Sequence, residues 1–342
     1  MLEQVKAFLA AWMDPQLVEL AGKVYWGVVA PLFAQPTIHW AFISCSLVAA
    51  AAYYYACVAR NGERSLTGCF RYIFPKAIYA HPSAVLDYKY YVVTQFVFRY
   101  LPIGKFVAGL AAVLYVSEGI RWLLEAVFGE STHRGAPGWI AIAVYTLVVT
   151  LAYDFARWFG HYLHHRIPVL WEFHKVHHSA EVLTPISSFR AHPVDQAIEF
   201  FLRTVAVSAV SAVFGYFYPV GITMVTIMGF GAISFIFHLV GHLRHSHVPF
   251  SFGPFDRVFV SPHMHQLHHS AQREHYDKNF GFIFSLWDQL AGTLYIPRQD
   301  EKFILGLPDE AEKYRTVRQL YFQPFIGAAR LLFGEKPQRA LS

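Results

Sequence analysis

The sequence predicts an all-α integral membrane protein, a helical bundle carrying a histidine-rich cap on its cytoplasmic face. Three observations predict it. First, 55% of the 342 residues are hydrophobic and only 15% are charged, with mean hydropathy +0.32, against a usual charged fraction of about 25%. A soluble domain could not hide so much apolar surface. Second, several uncharged runs reach the ~20 residues that cross a bilayer. Third, sixteen of nineteen histidines, all but His39, His81 and His133, fall between His161 and His275.

The elements follow in order. Trp26–Phe33 is too short to span and reads as an interfacial anchor. Residues 38–59 hold no Asp, Glu, Lys or Arg and make one span, closed by Arg60. A weaker segment from Tyr90 to Ser117 is interrupted by Arg99, Pro102 and Lys105. It reads as one tilted span, or as an interfacial helix followed by a span. Gly135–Tyr153 is a further uncharged run, ended by Asp154. Thr204–Leu243 carries no formal charge over a length that would make about 60 Å of helix, near twice the hydrocarbon thickness. Gly215, Pro219 and Gly221 near its middle predict a hairpin of two spans. Beyond Ile296 the chain turns polar, and residues 298–318 read as a soluble amphipathic segment. No internal repeat other than the histidine pattern is present, so one membrane domain over residues 1–342 is the simplest organisation.

Lys and Arg set the orientation. Arg60, Arg64, Arg71, Lys76 and Lys89 crowd the loop at 60–90, the loop at 118–137 has only Arg121 and Arg134, and twelve more follow residue 241. The positive-inside rule places 60–90 and the tail on the cytoplasmic side, of a bacterial inner membrane or an endoplasmic reticulum membrane. The span ending near Tyr153 and the returning hairpin then deliver the histidines to one face.

Those histidines form three boxes: His161-x-x-x-His165, His174-x-x-His177-His178 and His265-x-x-His268-His269. On a helix, positions i, i+3 and i+4 share a face, so each box is expected to aim its imidazoles at one point. Histidine is the commonest metal ligand, and neutral imidazole suits zinc, copper, iron and nickel. Crowded neutral imidazoles are costly to bury without partners, and charged ones repel. A bound cation solves both problems. Eight ligands exceed one tetrahedral zinc and fit two metal ions better.

Other histidines are less marked. His39, His81 and His133 read as packing or surface residues, His164 as a bystander beside the first box, and His263 and His275 as peripheral. At least one of His238, His242, His245 and His247 is expected to complete the coordination, but periodicity does not choose among them. His192, in Arg190-Ala-His-Pro193, could be a ligand, a supporting donor or a lid residue.

Several function classes lack support. The boxes carry none of the Glu-x-x-His ligands of soluble carboxylate-bridged di-iron bundles. His-Glu-x-x-His and Gly-x-Ser-x-Gly are absent, which argues against a hydrolase. The net charge of +5 is modest and no nucleic-acid-binding motif is present, so no nucleic acid partner is expected. Cys45, Cys57 and Cys69 form no Cys-x-x-Cys and read as packing residues. An all-imidazole pair of redox metals beside lipid suggests oxygen chemistry on an apolar chain.

The boxes stand in a longer pattern. It runs from Asp154 through His161-Tyr-Leu-His-His165, Pro168-Val-Leu-Trp-Glu-Phe-His174-Lys-Val-His-His-Ser179 and Arg190-Ala-His-Pro193. It continues through His245-Ser-His247, Gly253-Pro254, Ser261-Pro262, His265-Gln-Leu-His-His-Ser270, Asp277-Lys-Asn-Phe-Gly281 and Trp287-Asp-Gln-Leu-Ala-Gly-Thr293. Order and spacing resemble the sterol desaturase and fatty acid hydroxylase superfamily of membrane di-iron oxygenases. The resemblance implies anchor spans within 1–149, a catalytic region over 150–295 and a polar tail over 296–342. It implies that His161, His165, His174, His177, His178, His265, His268 and His269 bind two irons, with His245 as the ninth ligand and His242 second in order for that place. It implies dioxygen as co-substrate and a lipid (sterol, fatty acyl, sphingolipid, ether lipid or ornithine lipid) to be hydroxylated or desaturated. Electrons would come from NAD(P)H through a cytochrome b5- or ferredoxin-type protein. Asp154, Asp277 and Asp288 are candidate supporting carboxylates, alternatively helix caps or surface charges. Tyr162, His247 and Gln266 depart from residues the family often has, leaving every ligand in place. Competing readings are a metal-handling membrane protein such as a transporter, whose ligands belong near mid-membrane rather than at span ends, and a copper oxygenase.

Overall fold

The computed structural model describes residues 39–59, 64–100, 103–298 and 300–334. The anchor expected at Trp26–Phe33 lies outside them. The described chain is mainly helical. The first span is α1, Trp40–Tyr53, which continues as a π-turn over Tyr54–Val58. Short helices α2, Leu66–Ile73, and α3, Lys76–Tyr79, lead into α4, Pro82–Tyr100. Helix α5, Ile103–Phe128, begins immediately after Pro102, so helices occupy both sides of the expected interruption. Helix α6, Trp139–Arg166, extends the uncharged run at 135–153 by three further turns and so carries the first histidine box on the span itself. Helix α7 is Pro168–His178 and helix α8 is Pro193–Phe217. Among the described residues, three helices are long and apolar enough to cross a membrane: Trp40–Val58, α6 and α8.

The expected two-span hairpin at 204–243 requires correction. Its first limb is α8, but its second is broken. A two-residue antiparallel ribbon pairs β1, Thr226–Ile227, with β2, Phe230–Gly231, and helix α9, Ala232–His238, is only seven residues long. The cause is local. Gly221 and Gly229 adopt φ of 104° and 81°, a left-handed region that β-carbon sterics make costly for other residues. The freed backbone finds partners: Val225 N–H donates to Thr146 Oγ1 at 2.8 Å.

The chain forms two compact units, and their division falls within α6 and α8. Among the described residues, the first comprises 103–156 and 199–236. Here α6 and α8 are joined by a buried contact of Tyr145 with Ser211, 3.0 Å between oxygens, and Tyr216 donates to the Gly129 carbonyl at 2.7 Å. The second comprises 39–101, 157–198 and 237–334. It adds α10, Pro262–His268, α11, Leu286–Ala291, and α12, Val317–Phe333.

In the second unit the C-terminal segment packs on the second histidine box. Leu86, Tyr90, Val176, Tyr314 and Leu320 make one apolar cluster. Lys175 bridges Glu172 at 2.6 Å and Glu310 at 2.8 Å, which ties α7 to the approach to α12. Gly327 lets α12 close on Glu172, whose carboxylate would collide with any β-carbon there. Between α6 and α7 lies a single residue, Ile167, held extended because the proline that follows excludes the helical region. This corner folds the second box back onto the first.

Candidate metal centre

All nine histidines expected as ligands fall in the second unit, and they divide into two groups. His161, His165, His174, His178 and His268 form one; His177, His245, His265 and His269 form the other. Within each group one ring nitrogen from every residue lies within 4.8 Å of all the others. The expectation that each box points at a single place is therefore corrected. The pairs four apart, His161/His165, His174/His178 and His265/His269, stay together, while His177 and His268 cross to the opposite group. Helical geometry explains it. At about 100° per residue, i and i+4 differ by about 40°, whereas i+3 lies about 60° to the other side. A box of three thus serves two centres.

The groups adjoin: the rings of His178 and His269 stack at 4.8 Å. Within the first group His161 and His268 approach to 4.4 Å between centroids, and within the second His177 and His269 to 4.5 Å. Burial, the largest cause, holds the imidazoles of His177 and His268 down to about 3, and those of His178, His245, His265 and His269 well below the usual histidine range. Neighbouring imidazoles add to the shift for His178, His245 and His269, and the Arg244 guanidinium adds to it for His265. These six rings are neutral at physiological pH, the form that binds metal.

Outward contacts fix the tautomers. Nδ1–H of His161 donates to the Phe280 carbonyl at 2.9 Å, of His268 to Lys278 at 2.8 Å, and of His177 to Arg190 at 3.2 Å. His174 Nδ1 donates to Asp195 Oδ2 at 2.9 Å. The Nε2 atoms of His161, His165, His174, His178 and His268 are then left buried without a hydrogen-bond partner among the described residues. In the second group Nε2 of His245 meets Nε2 of His177 at 3.4 Å and of His265 at 3.3 Å, and His265 meets His269 at 3.3 Å. Converging buried imidazole nitrogens with no other partner fit a cation in each group.

The supporting residues account by contact for the segments of the sequence pattern that lie outside the boxes. The loop at 277–281 turns through Asp277 and Asn279, both at φ 58°, a left-handed conformation that Asp and Asn tolerate better than most residues. That turn presents the Lys278 and Phe280 carbonyls to His268 and His161, and sets Asp277 Oδ1 at 3.6 Å from His165 Nδ1. Asp277 also pairs with Arg166 at 3.1 Å. Asn279 locks the turn through the Met264 and Tyr295 carbonyls and the Tyr295 N–H. Asp288 acts one step back, accepting from Phe280 N–H, Gly281 N–H, the Thr293 hydroxyl and Trp158 Nε1. Burial pushes its carboxyl up, and those donors pull it back. Asp154 is buried in the first unit.

His245 joins the second group; the other residues weighed for that place sit elsewhere. His238 lies among Phe42, Phe237 and Phe282. His242 Nδ1 is 3.4 Å from Ser46 Oγ on α1, and His247 Nε2 donates to the Tyr72 carbonyl at 2.7 Å. His192 Nε2 donates to the Tyr321 carbonyl at 3.0 Å. The departures at 162 and 266 have structural partners. Tyr162 stacks on Trp158 and meets Phe280 edge-on. Gln266 donates to the Leu243 and Val248 carbonyls at 2.7 and 2.8 Å, holding the segment that carries His245.

Asp195 is the residue that sequence reasoning missed. One oxygen accepts from His174, and the other lies 3.2 Å from Nε2 of His164, which is fully buried and donates from Nδ1 to the Gly160 carbonyl at 2.6 Å. His164 thus lies against the outer oxygen of this carboxylate. The available signal was an acidic residue in the first turn of α8, two positions after Arg190-Ala-His-Pro193.

The fold and site define a helical membrane protein with two adjoining imidazole-lined centres. Residues 146–293 match the fatty acid hydroxylase family. The matched stretch contains all nine of these histidines, and in it the chain is similar to that family. It is 29% identical over 189 residues to an ornithine lipid hydroxylase of Rhizobium tropici, which covers 55% of this chain and 53% of that protein. An alkylglycerol monooxygenase of Caenorhabditis elegans is 27% identical over 50% of this chain and 30% of its own length. A lathosterol oxidase of Mus musculus is 28% identical over 48% of this chain and 49% of its own length. The chain therefore spans about half or less of these relatives. No solved structure matches it significantly.

Proposed function

We propose that the protein is a membrane di-iron oxygenase that hydroxylates an unactivated C–H bond of a lipid. The observation that carries this reading is the division of nine histidines, seven of them buried and His165 and His177 half-buried, into a group of five and a group of four. His161, His165, His174, His178 and His268 would hold one iron, and His177, His245, His265 and His269 the other. When bound, the irons supply the redox chemistry that reduces dioxygen, the balance being RH + O2 + 2e− + 2H+ → ROH + H2O. The chain's own residues hold His161, His174, His177 and His268 in one tautomer, through Asp195 and the Arg190, Lys278 and Phe280 carbonyls, and exclude water. Trp171 and Phe280 pack on His165 at 4.9 Å each and close the first group with apolar surface. Hydroxylation is favoured over desaturation because the matched relatives include a hydroxylase and a monooxygenase. A lipid substrate is supported by the lipids in the relatives' names and by the spanning helices. The two electrons come from an external carrier.

Metal analysis of the purified full chain tests the reading, with an expected content of about two irons per chain. Copper as the functional metal, or no bound metal, would reject it. Lipid profiling of cells expressing the chain should then show a lipid class gaining one oxygen atom, and cells expressing a ligand variant should not.

Asp195→Ala is expected to weaken metal binding by the first group by about 10–100-fold, the usual cost of losing a ligand's supporting partner. Asp195→Asn should restore most of it. Its amide oxygen can accept from His174 while its amide N–H donates to His164. Metal titration checks this, and an alanine variant that binds as tightly as the parent would reject the role.

The catalytic face is cytoplasmic, on the asymmetry of Lys and Arg. Glu181→Cys and Arg273→Cys, both at exposed positions, should be labelled from the same side in oriented vesicles after exposed Cys45 and Cys57 are replaced. Labelling from opposite sides would reject this topology.

A further inference from the structure

Helix α2 carries two different apolar faces. Cys69, Tyr72 and Ile73 pack against Tyr54, Tyr55 and Ala59 at the end of the first span. Gly68 permits this crossing, since a β-carbon there would strike the Tyr54 hydroxyl. The helix is therefore fixed to the span, and its entry is capped by Ser65, which accepts from Gly68 N–H at 2.9 Å. On another side Leu66, Phe70 and Phe74 fall at i, i+4 and i+8 and form a stripe. They are 84%, 63% and 41% exposed, and the Phe70 and Phe74 rings touch at 5.2 Å. Arg64 and Arg71 beside the stripe are also exposed.

The same helix is bonded to the segment that holds His245. The Tyr72 carbonyl accepts from His247 Nε2 at 2.7 Å, and the two rings meet edge-on at 5.2 Å. Leu243 and Val248, on either side of His245, pack with Ala50, Tyr53, Tyr72 and Ile73.

We propose that α2 is an in-plane docking helix for anionic lipid: Leu66, Phe70 and Phe74 enter the headgroup–acyl boundary, Arg64 and Arg71 meet phosphates, and Tyr72 ties this surface to the His245 segment. The occupant follows from three observations. The spanning helix ends at Val58, eight residues before the stripe begins, so α2 starts beside the bilayer. The apolar stripe is exposed in large aromatic and aliphatic side chains, the composition of helices that lie in the interface. Among the described residues the charges beside the stripe, Arg64 and Arg71, are positive and complement an anionic leaflet.

Spin labels on the full chain in vesicles test this. Phe70→Cys and, for comparison, Thr67→Cys are placed in a background with Cys45 and Cys57 replaced by serine; that background itself, keeping buried Cys69, controls for labelling. In vesicles of phosphatidylcholine with phosphatidylglycerol, the label at 70 should be open to oxygen and shielded from a water-soluble nickel chelate, severalfold more than at 67. Shielding at 70 should fall in phosphatidylcholine alone, and Arg64→Gln with Arg71→Gln should remove that lipid dependence. A label at 70 as open to the nickel chelate as at 67 would place the stripe in water and overturn the proposal. A label shielded from both reagents would place it under protein, a second copy or another partner, and would also overturn it. Shielding at 70 that ignores anionic lipid in the parent would overturn the role of the two arginines.

Discussion

His177→Ala is expected to abolish turnover, by more than the 10–100-fold that loss of a supporting residue costs, while the chain remains in the membrane. His177 lies half-buried in the four-histidine group, with Nε2 3.4 Å from His245 Nε2 and its ring 4.5 Å from that of His269. Its other nitrogen is held by the Arg190 carbonyl. Arg190 is itself fixed, paired with Asp87 at 2.9 Å and bonded to Ser83 and Tyr314. Such a ring has little freedom, and its loss removes one of four ligands. The spanning helices lie elsewhere in the sequence, so insertion should persist. Iron per chain, measured with turnover, should fall from about two towards one. Near-normal turnover in an iron-replete preparation would reject the ligand assignment.

The second large effect separates His245 from His238. His245→Ala should lose iron and activity together, because Nε2 of His245 stands between those of His177 and His265. Removing it opens the four-histidine group at its middle. His238→Ala should retain iron, since this ring packs among Phe42, Phe237 and Phe282 instead. Its cost is a packing cost, a few kcal/mol at most for a large-to-small change that leaves a partial cavity. Iron content and turnover of the two variants, compared at equal membrane abundance, check the contrast. An inactive, iron-free His238→Ala beside a fully active His245→Ala would move the ninth ligand to α9.

Acidification gives a smaller, directional expectation. The folded pKa of buried His177 and His268 lies near 3, below the unfolded value of about 6.5. Between those limits the unfolded chain binds more protons, so the stability of the metal-stripped fold is full above about pH 6.5 and declines as pH falls towards 3. Thermal unfolding of stripped protein in detergent should therefore shift to lower temperature between pH 7 and pH 5. A constant midpoint would contradict the burial of these rings in the absence of metal.

The sequence by itself determined the class and the eight histidines of the three boxes that the fold gathers into two groups. Hydropathy located the runs at 38–59 and 135–153 and the first limb of 204–243, which coincide with the three spanning helices among the described residues, because a bilayer imposes a length that composition reveals. The boxes were legible because imidazoles at helical spacing have few other uses at such density. What escaped was set by backbone geometry and by contacts distant in sequence. The uncharged stretch at 204–243 read as two equal spans, yet Gly221 and Gly229 in left-handed conformations break its second limb into a ribbon and α9. Hydropathy measures the apolar character of a segment and is blind to such turns. The i+3 histidines crossed between groups because a 60° offset matters only when a second centre lies on that side. Spacing could not choose among His238, His242, His245 and His247; the tertiary structure brings His245 of the four into a histidine group, where Gln266 holds the Leu243 and Val248 carbonyls and so sets that loop against the third box. For Asp195 the local pattern offered only an acid in the first turn of α8, with nothing to mark its partners. Its two oxygens reach His174 and His164 only after α8 returns beside the corner at Ile167, and a carboxylate's role as a brace depends on which two rings the fold brings to it.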